Sequence, residues 1–288
     1  MTGDKKMRFN LKKTLIILAA ISISSFAIAM VIIASTGGLA STRNFHKEEV
    51  FKASEVKNID INTTASINIF SADDGYIKID LSGVYNTSIE EDIPELVAYL
   101  DGNVLSLGIK VKPSRRVFVG VREMTAELNV YIPEDTIEKI NINSSIGDVS
   151  INNISVGQFI SRTLHGKLEI NSLDASKTNI ESYYGDIVIN SCMGDIKVQD
   201  TLGYISINQT GLYGDMDIRN DRGEVRLKIP QDYGLYLDVS TGSGKIILSD
   251  LELNIDIYHE KNLVGSSGNG GSKVMIYTGS GDIWITGK

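Results

Sequence analysis

Apolar and polar residues alternate along most of this chain, and glycine interrupts the alternation at nearly regular intervals. From Tyr183 to Ile218 the sequence reads YYGDIVINSCMGDIKVQDTLGYISINQTGLYGDMDI, in which a glycine, usually followed by an acid, precedes two apolar residues two positions apart. After Ile140 such units recur every nine to eleven residues. They are marked by Gly147, Gly157, Gly166, Gly185, Gly194, Gly203, Gly214, Gly223, Gly234 and Gly244, with Ser176 in the one remaining place. A period of two predicts strands with one buried face.

Two of these units make about twenty residues, which is one circuit of a flattened β-solenoid with two strands per rung and a rise of about 4.8 Å. One unit buries too little apolar surface to fold alone, so stacked rungs must share a continuous core. Asparagines fall five residues after alternate glycines, as a stacked amide ladder requires; they are Asn152, Asn171, Asn190 and Asn208. The sequence therefore predicts an all-β solenoid resembling a single-stranded β-helix, and an antiparallel meander is the alternative.

The alternation is less regular before the repeats begin. Residues 51–140 are predicted to form an irregular β part of the body, and residues 141–288 the regular solenoid. Within the first part, Asp101-Gly102-Asn103 separates two apolar runs, which indicates a hairpin turn.

One apolar segment does not alternate. Leu15 to Ala34 contains no charged residue, and as a helix it is long enough to cross a hydrocarbon core of about 30 Å. We predict a cytoplasmic basic tail at residues 1–13, a transmembrane anchor at 14–35 and a polar tether at 36–50. The positive-inside rule places the N-terminus in the cytoplasm and the body outside the cell. A cleaved signal peptide is the alternative, although the apolar run is longer than signal peptides usually have.

The distribution of charge and the cysteine content argue against nucleic-acid binding and against an internal disulfide. Residues 1–13 carry a net charge of +4, so the rest of the 288-residue chain carries −12 of the total of −8. An acidic body disfavours nucleic-acid binding, which depends on lysine and arginine. The single cysteine, Cys192, excludes an internal disulfide and is expected to be a structural core or turn residue.

No motif predicts a catalytic, cofactor or metal site. The segment STGSGKI (residues 240–246) lacks the first glycine and the final hydroxyl residue of a phosphate-binding loop. The Gly-Asp units differ from calcium-binding β-roll repeats, because here the acid follows glycine directly and Lys or Tyr often replaces it. The three histidines are scattered, and no G-x-S-x-G motif is present.

Two features of the predicted corners are candidates for specific roles. The residues after alternate glycines are Asp148, Lys167, Asp186, Tyr204, Glu224 and Lys245, an order that predicts charge pairing between adjacent rungs.

At the other edge, Tyr213 and Tyr233 each precede a glycine on what we predict to be neighbouring rungs, with Asp215 nearby. Exposed tyrosines on a rigid edge suit a sugar or protein partner, so these three residues are the predicted partner-binding site; the alternative is that the rings only cover the corner.

The segments VKNIDINTTASINIF, GDIVIN, GDIKV and GSGDIWI, together with the basic N-terminus and single apolar helix, resemble a bacterial adhesin-like family of unknown function (DUF4097 type). That family includes LiaG-like membrane-anchored proteins of Gram-positive envelope-stress operons. The resemblance covers residues 45–288, and it implies a β-solenoid displayed outside the membrane, with no catalytic residues to transfer.

Together these observations predict a single-pass, non-enzymatic interaction protein of the bacterial cell envelope, either an adhesin or an envelope-stress accessory. Its predicted partner is an envelope protein or a cell-wall polymer. One alternative is a carbohydrate-active enzyme or polysaccharide-binding solenoid. A further alternative is an assembly module that pairs edge to edge through a terminal rung ending in GDIWITGK.

Overall fold

The computed structural model describes residues 11–35, 41–87, 93–111, 124–134, 137–231, 233–268 and 271–288. They form one helix, α1 (Leu11–Ser35), a 3₁₀ turn (Ala53–Glu55) and 21 strands. The strands are β1 (Ser41–Lys52), β2 (Asn58–Thr63), β3 (Ser66–Ala72), β4 (Tyr76–Thr87), β5 (Glu95–Asp101), β6 (Val104–Lys110), β7 (Met124–Pro133), β8 (Lys139–Ser144), β9 (Val149–His165), β10 (Leu168–Tyr184), β11 (Ile187–Ile189), β12 (Cys192–Leu202), β13 (Ile205–Asn208), β14 (Met216–Arg222), β15 (Val225–Ile229), β16 (Leu235–Thr241), β17 (Ile246–Ser249), β18 (Asn254–His259), β19 (Asn262–Ser267), β20 (Ser272–Ser280) and β21 (Ile283–Gly287). The predicted all-β class with one N-terminal helix is confirmed.

Parallel pairing arranges the described strands of the solenoid in two walls. Sheet A holds β3, the first half of β9, the first half of β10, β11, β13, β15, β21 and β17, in that spatial order. Sheet B holds β2, β8, the second half of β9, the second half of β10, β12, β14, β20 and β16. Each rung is a strand of sheet B followed by a strand of sheet A. In spatial order the rungs are β2–β3, β8–β9, β9–β10, β10–β11, β12–β13, β14–β15, β20–β21 and β16–β17, and they are numbered 1 to 8 below.

Alternate residues of both walls point into one continuous core. Ile170, Ile189 and Ile207 stack in sheet A, and Ile180 and Val198 stack in sheet B, all with at most 1% of their surface exposed. Burial of one such side chain stabilises the fold by roughly 1.5 to 3 kcal/mol. Because every rung adds several of them on top of the last, the apolar core grows by stacking, as the repeat predicts.

The outward asparagines of sheet A form the predicted ladder. Asn171 donates from Nδ2 to Oδ1 of Asn152 at 3.2 Å, and Asn190 donates in the same way to Asn171 at 3.0 Å. Asn208 follows in register, because Ile207 pairs with Ile189. These bonds fix which residues of successive rungs face each other.

The corner between sheet B and sheet A explains the repeating glycine. Gly166 has φ +128°, and a β-carbon there would collide with the carbonyl oxygen of Gly147 one rung below. The same collision would occur between successive glycines along the stack, so only glycine permits both the backbone angle and the close approach of the rungs. Rungs 2 to 4 also have a short third side, where Ile154, Leu173 and Cys192 stack.

The C-terminal rungs do not stack in chain order. Strand β21 pairs with β15 on one side and with β17 on the other, and β20 lies in the same way between β14 and β16. The last strands of the chain therefore form rung 7, and the earlier β16 and β17 form rung 8. The predicted exposed terminal edge at GDIWITGK is consequently wrong: this segment is paired on both sides, and at this end the outermost strands are β17 in sheet A and β18 in the β18–β19 hairpin.

Strands β6 and β7 extend the two walls in parallel at the other end of the solenoid, and antiparallel strands continue from them. Strand β6 pairs with β2, and β5 pairs with β6 across the predicted hairpin turn, in which Gly102 has φ +60°. Strand β7 pairs with β3, and β4 and β1 follow it. The predicted tether at 36–50 needs correction, because residues 41–52 form β1 and pair with β4 over its full length. Phe45 is buried and Phe51 packs against the core, so this polar segment has an inner face.

The apolar segment forms α1, which begins three residues earlier than predicted and ends at Ser35 as expected. Its window Leu15–Ile32 has a mean hydropathy of 2.7, and none of it is buried. In the described part of the chain this is the one helix long and apolar enough to cross a membrane. Residues 1–10 and 36–40 lie outside the described residues.

Candidate functional site

The predicted tyrosine pair lies at the corner that follows sheet A. The ring centroids of Tyr213 and Tyr233 are 6.3 Å apart, with an edge-to-face angle of 68°. Tyr213 is 51% exposed, whereas Tyr233 is partly buried against the core. The prediction that they occupy neighbouring rungs is wrong, since Tyr213 precedes β14 of rung 6 and Tyr233 precedes β16 of rung 8. The rings nevertheless contact each other edge to face, although rung 7 separates the rungs to which they belong.

Asp215, the third predicted member, has a structural partner. Its Oδ1 accepts a hydrogen bond from the backbone N–H of Lys273 at 2.7 Å, and its own N–H donates to Asp195 at 3.0 Å. The other corner repeats this contact: the side chains of Asp148, Asp186 and Asp282 accept from the backbone N–H of Lys167, Tyr204 and Lys245 at 2.8, 3.0 and 2.9 Å. The acid of each of these Gly-Asp units therefore caps the backbone of the next rung.

This capping replaces the predicted pairing between charged side chains of adjacent rungs. Lys167 binds Glu169 on its own strand, with 2.5 Å between Nζ and Oε2. Lys245 lies next to Asp282 and not next to Glu224, because rung 7 is inserted between them. Among the described residues no group of three or more His, Cys, Asp or Glu side chains is arranged to hold a metal ion.

Two buried titratable groups were candidates for chemistry. Burial raises the pKa of the Cys192 thiol to about 11, and Oγ1 of Thr178 lies 3.4 Å from its sulfur. This thiol is a core residue, as the sequence predicts. Burial also raises the pKa of Asp200 to about 6, and neither carboxylate oxygen makes a hydrogen bond of good geometry to a described residue.

Asp200 belongs to an inner row of polar side chains that precedes the corner between sheet B and sheet A on all eight rungs. In spatial order the inner row is Thr63, Ser144, Thr163, Ser182, Asp200, Asn220, Thr278 and Thr241, and every member is buried. At rungs 6 to 8 these side chains donate to the carbonyl oxygen of the preceding corner glycine, at 2.9 to 3.2 Å. A carboxyl group at this place is thus part of a structural row, although an acid with a raised pKa is also what proton-transfer chemistry requires.

A surface that the sequence analysis missed lies on the outer face of sheet A. Arg226 of rung 6 lies between two aromatic rings, with its guanidinium carbon 5.5 Å from the ring centroid of Tyr204 and 5.9 Å from that of Trp284. Glu224 forms an ion pair with the same guanidinium. Tyr204, Arg226 and Trp284 line an open groove of about 510 Å³, called here the cationic groove. Its lining residues are Asn190, Tyr204, Ser206, Ile207, Asn208, Arg226, Leu227, Lys228, Trp284 and Thr286.

The sequence contained part of the information for this groove. Arg226, Lys228 and Trp284 alternate with buried residues, so their outward direction was predictable. Their proximity was not, because it requires β21 to pair with β15 across the inserted β16 to β20 segment.

A protein-family model matches most of this chain. The family model Toastrack DUF4097 matches residues 56–175 and again residues 145–286. No curated protein matches the chain at a significant level.

Three crystal structures align with most of this chain at low sequence identity. A candidate cell adhesion protein from Clostridium sporogenes is 16% identical, with 85% of this chain and 100% of that chain covered and a TM-score of 0.38. A candidate adhesin from Bacteroides fragilis is 18% identical, with 84% and 97% covered and a TM-score of 0.44. A candidate lipid-binding protein from Parabacteroides distasonis is 10% identical, with 84% and 95% covered and a TM-score of 0.22. Because the two family matches together span residues 56–286, the chain belongs to the Toastrack DUF4097 family.

Proposed function

We propose that this protein is a membrane-anchored, non-enzymatic interaction protein of the bacterial cell envelope, with its solenoid on the outer side of the membrane. The observation that carries the proposal is α1, whose window Leu15–Ile32 is strongly apolar, with a mean hydropathy of 2.7, and is not buried by the body. Such a surface is unfavourable in water and favourable in a bilayer core. A helix that the solenoid does not bury needs another apolar environment.

The charged residues before the apolar segment support an orientation of α1 in the membrane. Five basic residues and one acid lie at positions 1–13, directly before the apolar segment. Basic residues remain on the cytoplasmic side during insertion, so the tail stays inside and the body is translocated. We propose that the helix is retained as an anchor, because the twenty uncharged residues from Leu15 to Ala34 exceed the 7 to 15 apolar residues of a typical signal peptide.

An interaction role, as an adhesin or as an accessory in envelope-stress sensing, agrees with the architecture of the body. The two walls present outward side chains in straight columns about 4.8 Å apart, a spacing that suits an extended protein or polymer partner. The proposed partners are therefore an envelope protein or a cell-wall polymer, and the acidic body disfavours nucleic acid. Tyr213 and Tyr233, with Asp215 holding their corner to rung 7, are proposed as one contact surface.

Topology can be tested with a cysteine-specific, membrane-impermeant maleimide, because the native Cys192 is buried and its pKa of about 11 keeps it protonated. Glu252→Cys places a thiol at an exposed position of the body, and Thr2→Cys places one in the tail. In intact cells we expect labelling of Glu252→Cys only, and in permeabilised cells labelling of both variants. The unsubstituted chain is the control for background. Labelling of Thr2→Cys in intact cells, or recovery of a chain without its N-terminus, would contradict the proposal.

The tyrosine surface is tested separately by co-sedimentation of the full-length protein with purified cell walls. We expect Tyr213→Ala/Tyr233→Ala to reduce the bound fraction. Tyr99→Ala is a matched control, since Tyr99 is 56% exposed on β5 at the opposite end of the body. Equal retention of all three proteins would remove this pair from the contact surface.

A further inference from the structure

The cationic groove combines three kinds of side chain on three successive rungs. Tyr204 lies on rung 5, Arg226 on rung 6 and Trp284 on rung 7, and the arginine lies between the two rings. Trp284 is the only tryptophan of the chain and is 38% exposed. Its neighbours hold it at the surface, because the adjacent Ile283 and Ile285 point into the core. The protein thus displays a flat aromatic platform with a cation at its edge.

The charge of this groove opposes that of the body. Arg226 and Lys228 line it, and Lys288 reaches its edge, where Nζ donates to Oδ1 of Asn208 at 2.9 Å. Glu224 neutralises one of these three cations. The groove is therefore a local positive site on a body that carries a net charge of −12, and an anionic ligand is complementary to this place.

A row of amides leads out of the groove along the sheet. Asn208 and Asn190 line the groove, and Asn171 and Asn152 continue the ladder towards rung 2. Four rungs span about 14 Å at a spacing of about 4.8 Å. Nδ2 of Asn171 uses both of its hydrogens, on Asn152 and on Glu169, but Nδ2 of Asn190 has one N–H beyond its bond to Asn171. Each amide oxygen also has two acceptor positions, so the ladder can bind hydroxyl groups along an extended chain.

We propose that the cationic groove and its amide ladder bind an acidic polysaccharide. A sugar ring packs on Trp284 or Tyr204, an acidic group of the sugar binds Arg226 and Lys228, and ring hydroxyls bind the asparagines. A polyphosphate would use the cations but neither the aromatic platform nor the amides, so the combination favours a hydroxylated ring with a carboxylate. This inference rests on the proposed display of the solenoid outside the membrane, where such polymers occur.

The experiment uses the full-length protein in lipid nanodiscs and three soluble polymers as probes. Polygalacturonate has sugar rings and carboxylates, dextran has rings without charge, and polyphosphate has charge without rings. We expect polygalacturonate to bind at least tenfold more tightly than either of the others. Trp284→Ala and Arg226→Gln are each expected to weaken its binding about tenfold, and Lys228→Gln to weaken binding less and to reduce its salt dependence.

Sheet B offers a matched control on the same two rungs. Arg219 of rung 6 binds Asp217 two residues before it, as Arg226 binds Glu224, and Tyr277 of rung 7 lies beside Arg219. Arg219→Gln and Tyr277→Ala should leave polygalacturonate binding unchanged. Thermal unfolding of all variants identifies any that are misfolded, and Lys228→Gln, which changes one exposed side chain, keeps the test open if Trp284→Ala fails to fold.

Two results would overturn the proposal. Equal affinity for polyphosphate and polygalacturonate, with no effect of Trp284→Ala, would reduce the groove to a nonspecific positive patch. Failure to bind polygalacturonate at all would exclude an acidic polysaccharide of this kind. Neither result changes the topology measured by maleimide labelling, so failure of this inference is distinguishable from failure of the proposed function.

Discussion

The middle rungs and the C-terminal rungs of the solenoid use the same corner but are assembled differently. In rungs 2 to 6 each rung follows its spatial neighbour along the chain, and successive corner glycines are 18 to 20 residues apart. At the C-terminal end Gly281 stacks on Gly223, and Gly244, which comes earlier in the chain, stacks on Gly281. Rung 8 therefore precedes rung 7 in the sequence, although rung 7 lies between rungs 6 and 8 in space. A rung can pair with strands that come before or after it in the sequence, so the spatial order of the rungs does not have to follow the order of the chain.

The inner row of polar residues differs between the same two regions. At rungs 6 to 8 Asn220, Thr278 and Thr241 donate to a glycine carbonyl of the neighbouring corner. At rungs 3 to 5 the oxygens of Thr163, Ser182 and Asp200 make no such bond to a described residue. An unsatisfied buried polar group costs about 1 to 3 kcal/mol, so the C-terminal corner is better bonded even though its strands are further apart in sequence.

The largest effect should come from removing rung 7. Truncation after Gly271 deletes β20 and β21, and with them the inward residues Val274, Ile276, Ile283 and Ile285. Their burial stabilises the fold by roughly 6 to 12 kcal/mol in total, which is comparable with the whole stability of a domain. We expect β16 and β17 to lose amide protection in native-state hydrogen exchange, because their parallel neighbours are gone.

Hydrogen exchange of the same truncated chain also compares the C-terminal rungs with the rungs far from the deletion. Strands β8 and β9 of rung 2 lie five rungs away and should keep their protection in the truncated chain, as expected for a stack with nearest-neighbour coupling. Retained protection of β16 would show that rung 8 does not depend on the inserted strands and would contradict the assembly inferred here.

A smaller effect is expected from adding one methyl group at the corner. Gly166 has φ +128° and Gly281 has φ +152°, and a β-carbon on either would collide with the carbonyl oxygen of the glycine below. Gly166→Ala and Gly281→Ala should each lower the free energy of unfolding by about 2 to 4 kcal/mol in chemical denaturation. Gly75→Ala is the control, since nothing lies within 4 Å of a β-carbon there. A much smaller loss for Gly281→Ala would mean that the inserted rung packs less tightly than the middle ones.

Asp200→Asn should stabilise the protein in a pH-dependent way. Because burial raises the folded-state pKa of Asp200 to about 6, above the ordinary 3.8, the native state binds this proton more tightly than the unfolded chain does. Stability therefore falls as the pH rises from about 4 to about 6, by roughly 2 to 3 kcal/mol, and stays lower above that range. An asparagine at this place keeps no charge and can donate to the carbonyl oxygen of Gly185, as Asn220 does to Gly203.

Thermal unfolding as a function of pH measures this difference. The variant should be more stable than the parent chain at pH 8 and equally stable at pH 4. Asp217→Asn, a change of the same chemistry on the outer face of rung 6, should show no such gain. Equal stabilities of Asp200→Asn and the parent at pH 8 would show that this carboxylate is solvated in the native state.

Sequence reasoning identified the repeat, the apolar helix and the amide ladder, because each depends on residues at fixed short spacing. It could not order rungs 7 and 8, since the corner segments GSGK and GSGD have nearly identical local preferences. Their positions depend on long-range pairing, including that of the β18–β19 hairpin with β16. The cationic groove was missed for the same reason: Trp284 meets Arg226 only after β21 has been placed beside β15.

The smallest predicted effect distinguishes two roles for the acid of the Gly-Asp units. The acid either caps a backbone N–H of the next rung or pairs with a charged side chain of that rung. Asp186 and Asp282 each accept a backbone N–H from the next rung, one in the middle and one at the inserted rung, at 3.0 and 2.9 Å. Asp186→Ala and Asp282→Ala should each cost about 1 kcal/mol of unfolding free energy, because a charge-assisted bond is lost. Lys167→Gln should cost less than about 0.5 kcal/mol, since it removes only an exposed ion pair. A larger loss for Lys167→Gln than for Asp186→Ala would restore side-chain pairing as the device that sets the register of both regions.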